Sequence, residues 1–312
     1  FILTDATTDA NVWTNVGSGE GDISPWNFPG TVSGYAMGGN TGSASNTIEK
    51  YSLSSDANGT DVGDLSVAQR QAAGQSSDTH GWCCGGMGDG QRIEKFSFTS
   101  DGNGTDTADL SVTRSAYCKG ASSSTHGYTM GGTANGDTID KFAFTSTSNA
   151  TDVGNLLDTF YGMAGISSKT DGFSAGGDKG GSYYSNVIQK FSFASDGNSA
   201  DHGDLHTGVM YYDGCSSETH GYAVCGHKSG GQSNQLQKFA FSSNTTASDI
   251  ADCAVVNGGN GCASSETHGY SAGGYSGGYL NTIEKFSLSS DANSTDVGDL
   301  PTTRGELCGA QH

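Results

Sequence analysis

The sequence predicts an all-β fold: a β-propeller of six blades, four antiparallel strands per blade, with the ring closed by the C-terminal strand. Three observations carry this expectation. One phrase recurs six times, as Ile48-Glu-Lys-Tyr-Ser-Leu53, Ile93-Glu-Lys-Phe-Ser-Phe98, Ile139-Asp-Lys-Phe-Ala-Phe144, Ile188-Gln-Lys-Phe-Ser-Phe193, Leu236-Gln-Lys-Phe-Ala-Phe241 and Ile283-Glu-Lys-Phe-Ser-Leu288. Its lysine falls at Lys50, Lys95, Lys141, Lys190, Lys238 and Lys285, in steps of 45, 46, 49, 48 and 47 residues. That is the length of one four-stranded blade and too short for a repeat with long helices. Glycine supplies 50 of 312 residues against 3 prolines, with no period of three, while 13 Phe and 13 Tyr are spread along the chain. Collagen and helical bundles are excluded, and a folded, turn-rich β protein fits.

Residues 1–30, with Trp13, Trp26, Pro25 and Pro29, fall outside the repeat and read as an extension or connector; the propeller takes 31–312. The first unit enters at its second strand, Ser33-Gly34-Tyr35. The second unit shows the full plan: strands over Gln71 to Ser76, Gly81 to Cys84, Arg92 to Phe98 and Thr107 to Val112. Each second strand ends in an aromatic followed by a glycine pair: Tyr35 with Gly38-Gly39, Trp82 with Gly85-Gly86, Tyr128 with Gly131-Gly132, Phe173 with Gly176-Gly177 and Tyr270 with Gly273-Gly274. Glycine suits a sharp turn between closely approaching backbones. Blade five departs, with Tyr222 followed by Cys225-Gly226. In the third strand apolar residues fall on both parities (Ile93, Phe96, Phe98), which requires packing on both faces, as between two blades. The first strand missing at the start appears at the end, where Thr303-Arg304-Gly305-Glu306-Leu307-Cys308-Gly309 matches Thr113-Arg114-Ser115-Ala116-Tyr117-Cys118-Lys119-Gly120. The C-terminus is therefore expected to complete the first blade and leave no open edge.

Acids outnumber bases 33 to 14, for a net charge of −19, which disfavours nucleic acid as a partner. No apolar run reaches the length of a membrane span, and the start lacks both the basic region of a signal peptide and an initial Met, as expected of a processed or partial chain. The eight cysteines (83, 84, 118, 215, 225, 253, 262 and 308) form no Cys-x-x-Cys pair and no zinc spacing. Buried free thiols are the favoured reading, with Cys253/Cys262 and Cys215/Cys225 as the disulfides to check.

The aromatic followed by Gly-Gly, the period and the strand order resemble kelch-type β-propellers over residues 33 to 309, although Val62-Gly63-Asp64-Leu65 and Val297-Gly298-Asp299-Leu300 stand where kelch repeats usually carry a fourth-strand Trp. The fuller phrase, Lys-Phe-Ser-Phe, then Ser-Asp-x-Asn-x-Thr-Asp-Val-Gly-Asp-Leu, then Ser-Ser-x-Thr-His-Gly-Tyr, is similar to kelch-like repeat proteins of marine bacteriophages, including cyanophages. That resemblance implies a component of a virion, such as a tail fibre, that contacts a host cell surface. Other virion or tail proteins would then attach through the N-terminal extension. A secreted propeller is the alternative.

Three constellations could carry chemistry. Asp56/Asn58/Asp61 recurs as Asp101/Asn103/Asp106, Asp196/Asn198/Asp201 and Asp291/Asn293/Asp296 between strands three and four, with oxygens at alternate positions as calcium requires. Against calcium stands ordinary Asx turn chemistry, since blades three and five lose ligands and no bidentate Glu follows. The same loops hold Asn-x-Thr at Asn58, Asn103, Asn149, Asn244 and Asn293, glycosylation acceptors in a secreted eukaryotic protein and turns in a phage. Thr-His-Gly recurs at His80, His126, His220 and His268, with Asp171 in blade four. Each lies on a different blade, so a hairpin role is expected over a shared metal.

The segments after the glycine pairs vary most: Asn40 to Ser45, Met87 to Gln91, Thr133 to Asp137, Asp178 to Ser185, His227 to Asn234 and Tyr275 to Asn281. In blades four to six they carry Lys179, Tyr183, Tyr184, His227, Lys228, Tyr275 and Tyr279, rings and cations of the kind that bind sugars and proteins. With no catalytic triad, phosphate loop or paired-carboxylate motif, no cofactor is expected. The expected function is non-enzymatic binding of a host surface glycan or protein through this loop face. A virion decoration module without a host ligand and a glycan-cleaving propeller are the alternatives.

Overall fold

The computed structural model describes residues 2–5, 12–14, 30–181 and 183–312. Within 1–30, where the sequence places an extension, Ile2–Asp5 pairs antiparallel with Val12–Thr14. Trp26, Pro25 and Pro29 lie outside the described residues.

Six four-stranded antiparallel sheets follow. The second blade runs Ala73–Ser76, His80–Cys84, Arg92–Ser97 and Thr105–Asp109. Its first strand starts later than the sequence suggests because Gln71 has φ 59° and cannot extend a strand. Its fourth strand lies earlier, because Leu110 N–H donates to Gln91 O at 2.7 Å and turns the chain toward the next blade. In the first blade Cys308–Gln311 pairs with Ser33–Met37, so the C-terminus closes the ring as the repeat alignment requires. Blade five carries one addition, a short strand His227–Lys228 folded onto the start of its third strand, Gly231–Ala240.

The core lies between blades. In four blades the aromatic of the second strand packs on the Phe pair of the next blade's third-strand phrase: Tyr35 stacks on Phe98 at 4.9 Å, Trp82 on Phe144 at 5.5 Å, Tyr128 on Phe193 at 4.8 Å and Phe173 on Phe241 at 4.9 Å; Tyr222 meets Phe286 at 5.7 Å and Tyr270 meets Tyr51 at 6.1 Å. This is why the repeated phrase carries apolar residues on both parities: each third strand is covered on two faces. At the axis the first strands approach so closely that a Cβ on Gly74 would fall 2.0 Å from Gly309 O. Glycine also holds this position in blades three, four and five, as Gly120, Gly165 and Gly214, and Cys262 holds it in blade six.

Candidate functional site

Two sets of connections emerge on one face: the variable segments after the glycine pairs, and the links from each fourth strand to the next first strand. Backbone bridges join them, Arg70 with Met87, Tyr161 with Asp178, Met210 with His227 and Gly258 with Tyr275. The bases of these loops are therefore fixed, and their tips remain free to vary.

The links converge on the axis through a ring of six equivalent residues: Gln71, Tyr117, Gly162, Tyr211, Gly259 and Glu306. All six have left-handed backbone, with φ between 55° and 70°. Main-chain hydrogen bonds tie neighbours together, including Tyr211 N to Gly162 O at 2.6 Å and Glu306 N to Gly259 O at 2.6 Å. For a residue with a Cβ this conformation costs about 1 kcal/mol or more. Blades four and six avoid that cost with glycine, and the other four keep a large side chain there.

Those side chains stand around an axial cavity of about 410 Å³. The Tyr117 and Tyr211 rings lie 4.4 Å apart, with Tyr161 about 6 Å from both (6.3 and 6.2 Å) and its hydroxyl donating to Asp178 Oδ2 at 2.9 Å. Burial pushes all three phenols above their ordinary range, so they are neutral at neutral pH. Deeper, Lys119 Nζ pairs with Asp213 at 3.5 Å, and at the rim Arg70 pairs with Glu306 at 3.1 Å. Burial raises the Asp213 carboxyl and Lys119 opposes that shift. It lowers the His227 imidazole. Two amide oxygens lack a protein partner: Gln71 Oε1, on a side chain from a residue only 7% exposed, and Asn260 Oδ1, from a fully buried one. The Asn260 Nδ2 donates to Val224 O and Ser271 Oγ, which fixes the orientation of its amide.

Of the loop residues named from sequence, His227, Tyr275 and Tyr279 line this cavity. Tyr275 and Tyr279 meet edge to face at 5.6 Å. Lys179, Tyr183, Tyr184 and Lys228 lie outside it. Lys179 pairs with Asp158 at 3.1 Å and reaches over the Phe160 ring, while Tyr183 is 59% exposed. Tyr184 bridges to Asp178, and Lys228 pairs with Gly231 in the added strand of blade five. The sequence reading missed Gln71, Tyr117, Tyr211, Glu306, Lys119 and Asn260. The aligned column that mixes glycine with Tyr, Gln and Glu three residues before the axial glycine was the available signal.

The acidic loops join blades. Asp56, Asp101, Asp196 and Asp291 pair with Lys285, Lys50, Lys141 and Lys238 of the preceding blade, at 2.5, 3.2, 2.8 and 3.1 Å. Asn58, Asn103, Asn198 and Asn293 accept from the main-chain N–H of Asp299, Asp64, Asn155 and Asp252 of that blade. Asp61, Asp201 and Asp296 accept from the N–H two residues on, and Asp106 pairs with Arg92 at 2.7 Å. The oxygens suggested for calcium are thus directed to separate partners. Among the described residues no three His, Cys, Asp or Glu side chains are grouped to hold an ion. The histidines occupy hairpins, where Ser77 Oγ accepts from His80 N–H and Thr79 Oγ1 meets His80 Nδ1 at 2.8 Å; His126, His220 and His268 repeat this, and Asp171 takes the place in blade four.

All eight cysteines are buried free thiols. The neighbouring pairs are Cys83 with Cys308, Sγ to Sγ 3.7 Å, and Cys225 with Cys253 and Cys215 with Cys262, which corrects the pairings suggested by sequence proximity. Each pair bridges elements that the blade geometry, not the chain, makes adjacent. No known protein-family model matches this chain, and no curated protein matches it.

Proposed function

We propose that this propeller is a non-enzymatic recognition module that binds a bacterial surface glycan through its loop face, as part of a virion appendage. One observation carries the reading. Among the described residues, five of the six exposed large apolar side chains (Met87, Leu157, Tyr183, Val256 and Tyr275) lie on this face, and only Val32 lies elsewhere. Exposed aromatic and aliphatic groups gathered on one side of an otherwise acidic, polar protein are the composition of a binding surface. The virion placement rests on the similarity of the repeat phrase to kelch-like phage proteins. The test is an array of bacterial surface polysaccharides and oligosaccharides, probed with the full chain and with a Tyr183→Ala/Tyr275→Ala/Tyr279→Ala variant. Saccharide binding by the chain that falls at least tenfold in the variant supports the reading. No binding to any saccharide, or equal binding by the two, overturns it.

A further inference from the structure

We infer that the axial cavity is a pocket for one or two neutral, hydroxyl-rich sugar rings, held by the side chains of the left-handed ring; this rests on the glycan reading above and specifies its ligand. The first ground is backbone strain. Gln71, Tyr117, Tyr211 and Glu306 hold φ of 59°, 57°, 55° and 57°, while the equivalent Gly162 and Gly259 show that the fold accepts glycine in the same ring. Strain kept where a cheaper residue fits marks a position whose side chain is needed for something other than folding.

The second ground is the hydrogen-bonding inventory. The lining acid Glu306 already has a cation, Arg70, and the lining Lys119 pairs with Asp213 beneath it. Two buried acceptors of the lining residues have no protein donor, Gln71 Oε1 and Asn260 Oδ1. A buried acceptor without a donor costs about 1–3 kcal/mol, and a ligand hydroxyl removes that cost. An anionic ligand would bring further negative charge to a chain of net charge −19 and to the Glu306 carboxylate of the lining. The Tyr117, Tyr211 and Tyr275 rings supply flat apolar faces for the C–H face of a pyranose. A volume of about 410 Å³ lies in the range of small-ligand sites.

Glycine substitution separates this role from a structural one, because glycine relieves the left-handed strain while it removes the side chain. The probes are free neutral hexoses and methyl hexosides, with their uronates as the charged arm, titrated calorimetrically into the full chain and into Gln71→Gly and Tyr211→Gly. The expected result is binding of a neutral sugar, at least tenfold weaker binding of its uronate, and at least tenfold loss of the neutral sugar in both variants with a Tm within a few degrees of the parent. A neutral sugar bound equally by parent and variants overturns the inference, as does preference for the uronate or binding of no sugar. Array binding with no loss in the glycine variants would overturn this pocket alone and leave the loop-face reading standing; no saccharide binding in either assay would overturn both.

Discussion

Gln311 takes, in the closing blade, the place that serine holds in the other five: its Oε1 accepts from Ser264 N–H at 2.6 Å, and its own N–H donates to Ser76 Oγ at 2.9 Å. The circuit continues from Ser76 to Ser122, Ser167, Ser216 and Ser264, each N–H donating to the next hydroxyl at 2.9–3.2 Å. Six first strands are thereby joined around the axis by bonds that no single blade contains. Gln311→Ala leaves the Ser264 N–H unpaired and is expected to cost about 1–2 kcal/mol, read as a lower denaturant midpoint. Gln311→Ser restores the residue of the other blades and is expected to recover most of that loss. Equal stability of Gln311→Ala and the parent would show that the circuit is dispensable.

Arg114 and Asp140 form a fully buried ion pair at 3.0 Å, with Arg114 also donating to Gly131 O at 2.5 Å and Ser111 to Asp140. Each charge is tolerated because the other is present. Arg114→Met is expected to destabilise by about 3–5 kcal/mol, since it strands a carboxylate in the core. Adding Asp140→Leu should return part of that, because a stranded charge costs more than an apolar pair. A double-mutant cycle by chemical denaturation measures both, and additive losses would refute the coupling.

Asn103 and Asp101 fasten the second blade to the first through Asp64 N–H and Lys50. Calcium at millimolar concentration and a chelator are therefore expected to leave the thermal midpoint unchanged, whereas Asn103→Ala lowers stability by about 1 kcal/mol. A calcium-dependent rise of several degrees would return these loops to the role of metal ligands.

These loops also show where sequence reasoning stops. The propeller was legible because a blade covered on both faces imposes apolar residues on both parities, as at Ile93 and Phe96, and because a Cβ on the glycine pairs would clash: Gly38, with φ 61°, would meet Gln69 O at 2.5 Å. The acidic repeat was legible as a pattern but not as a contact, since Asp101 and its Lys50 are 51 residues apart and meet only when blades pack. The site was half legible. His227, Tyr275 and Tyr279 stand in conspicuous variable loops, whereas Tyr117 and Tyr211 occupy a position where their own backbone preference argues against them.

The eight thiols are expected to be silent in the folded protein. Burial raises Cys118 to about 11 and lifts Cys84 and Cys262 above the usual thiol range, and the neighbouring thiols of Cys308 and Cys225, followed by burial, do the same for Cys83 and Cys253. In these five the reactive thiolate is scarce as well as inaccessible, and the other three are buried. Ellman's reagent should titrate none of them in buffer and all eight in guanidinium chloride. Rapid reaction of one or two in buffer would mean that a blade edge opens.

The last expectation concerns the pair at the base of the cavity. Asp213 is nearly buried, and burial raises its carboxyl while Lys119, 3.5 Å away, holds it down. Lys119→Met removes that restraint, so the folded-state pKa rises further above the unfolded value of about 3.9. A carboxyl raised on folding binds its proton more tightly in the native state, so its contribution favours folding at acid pH and is lost as pH rises through the folded pKa. The stability gap between parent and Lys119→Met should thus be widest near neutrality and narrow as pH falls toward 4, where Asp213 enters the core protonated. Denaturation of both proteins across this range tests the sign directly. A gap independent of pH would mean that Asp213 stays solvated through the cavity, and a gap that widens in acid would mean that something other than burial governs the Asp213 carboxyl.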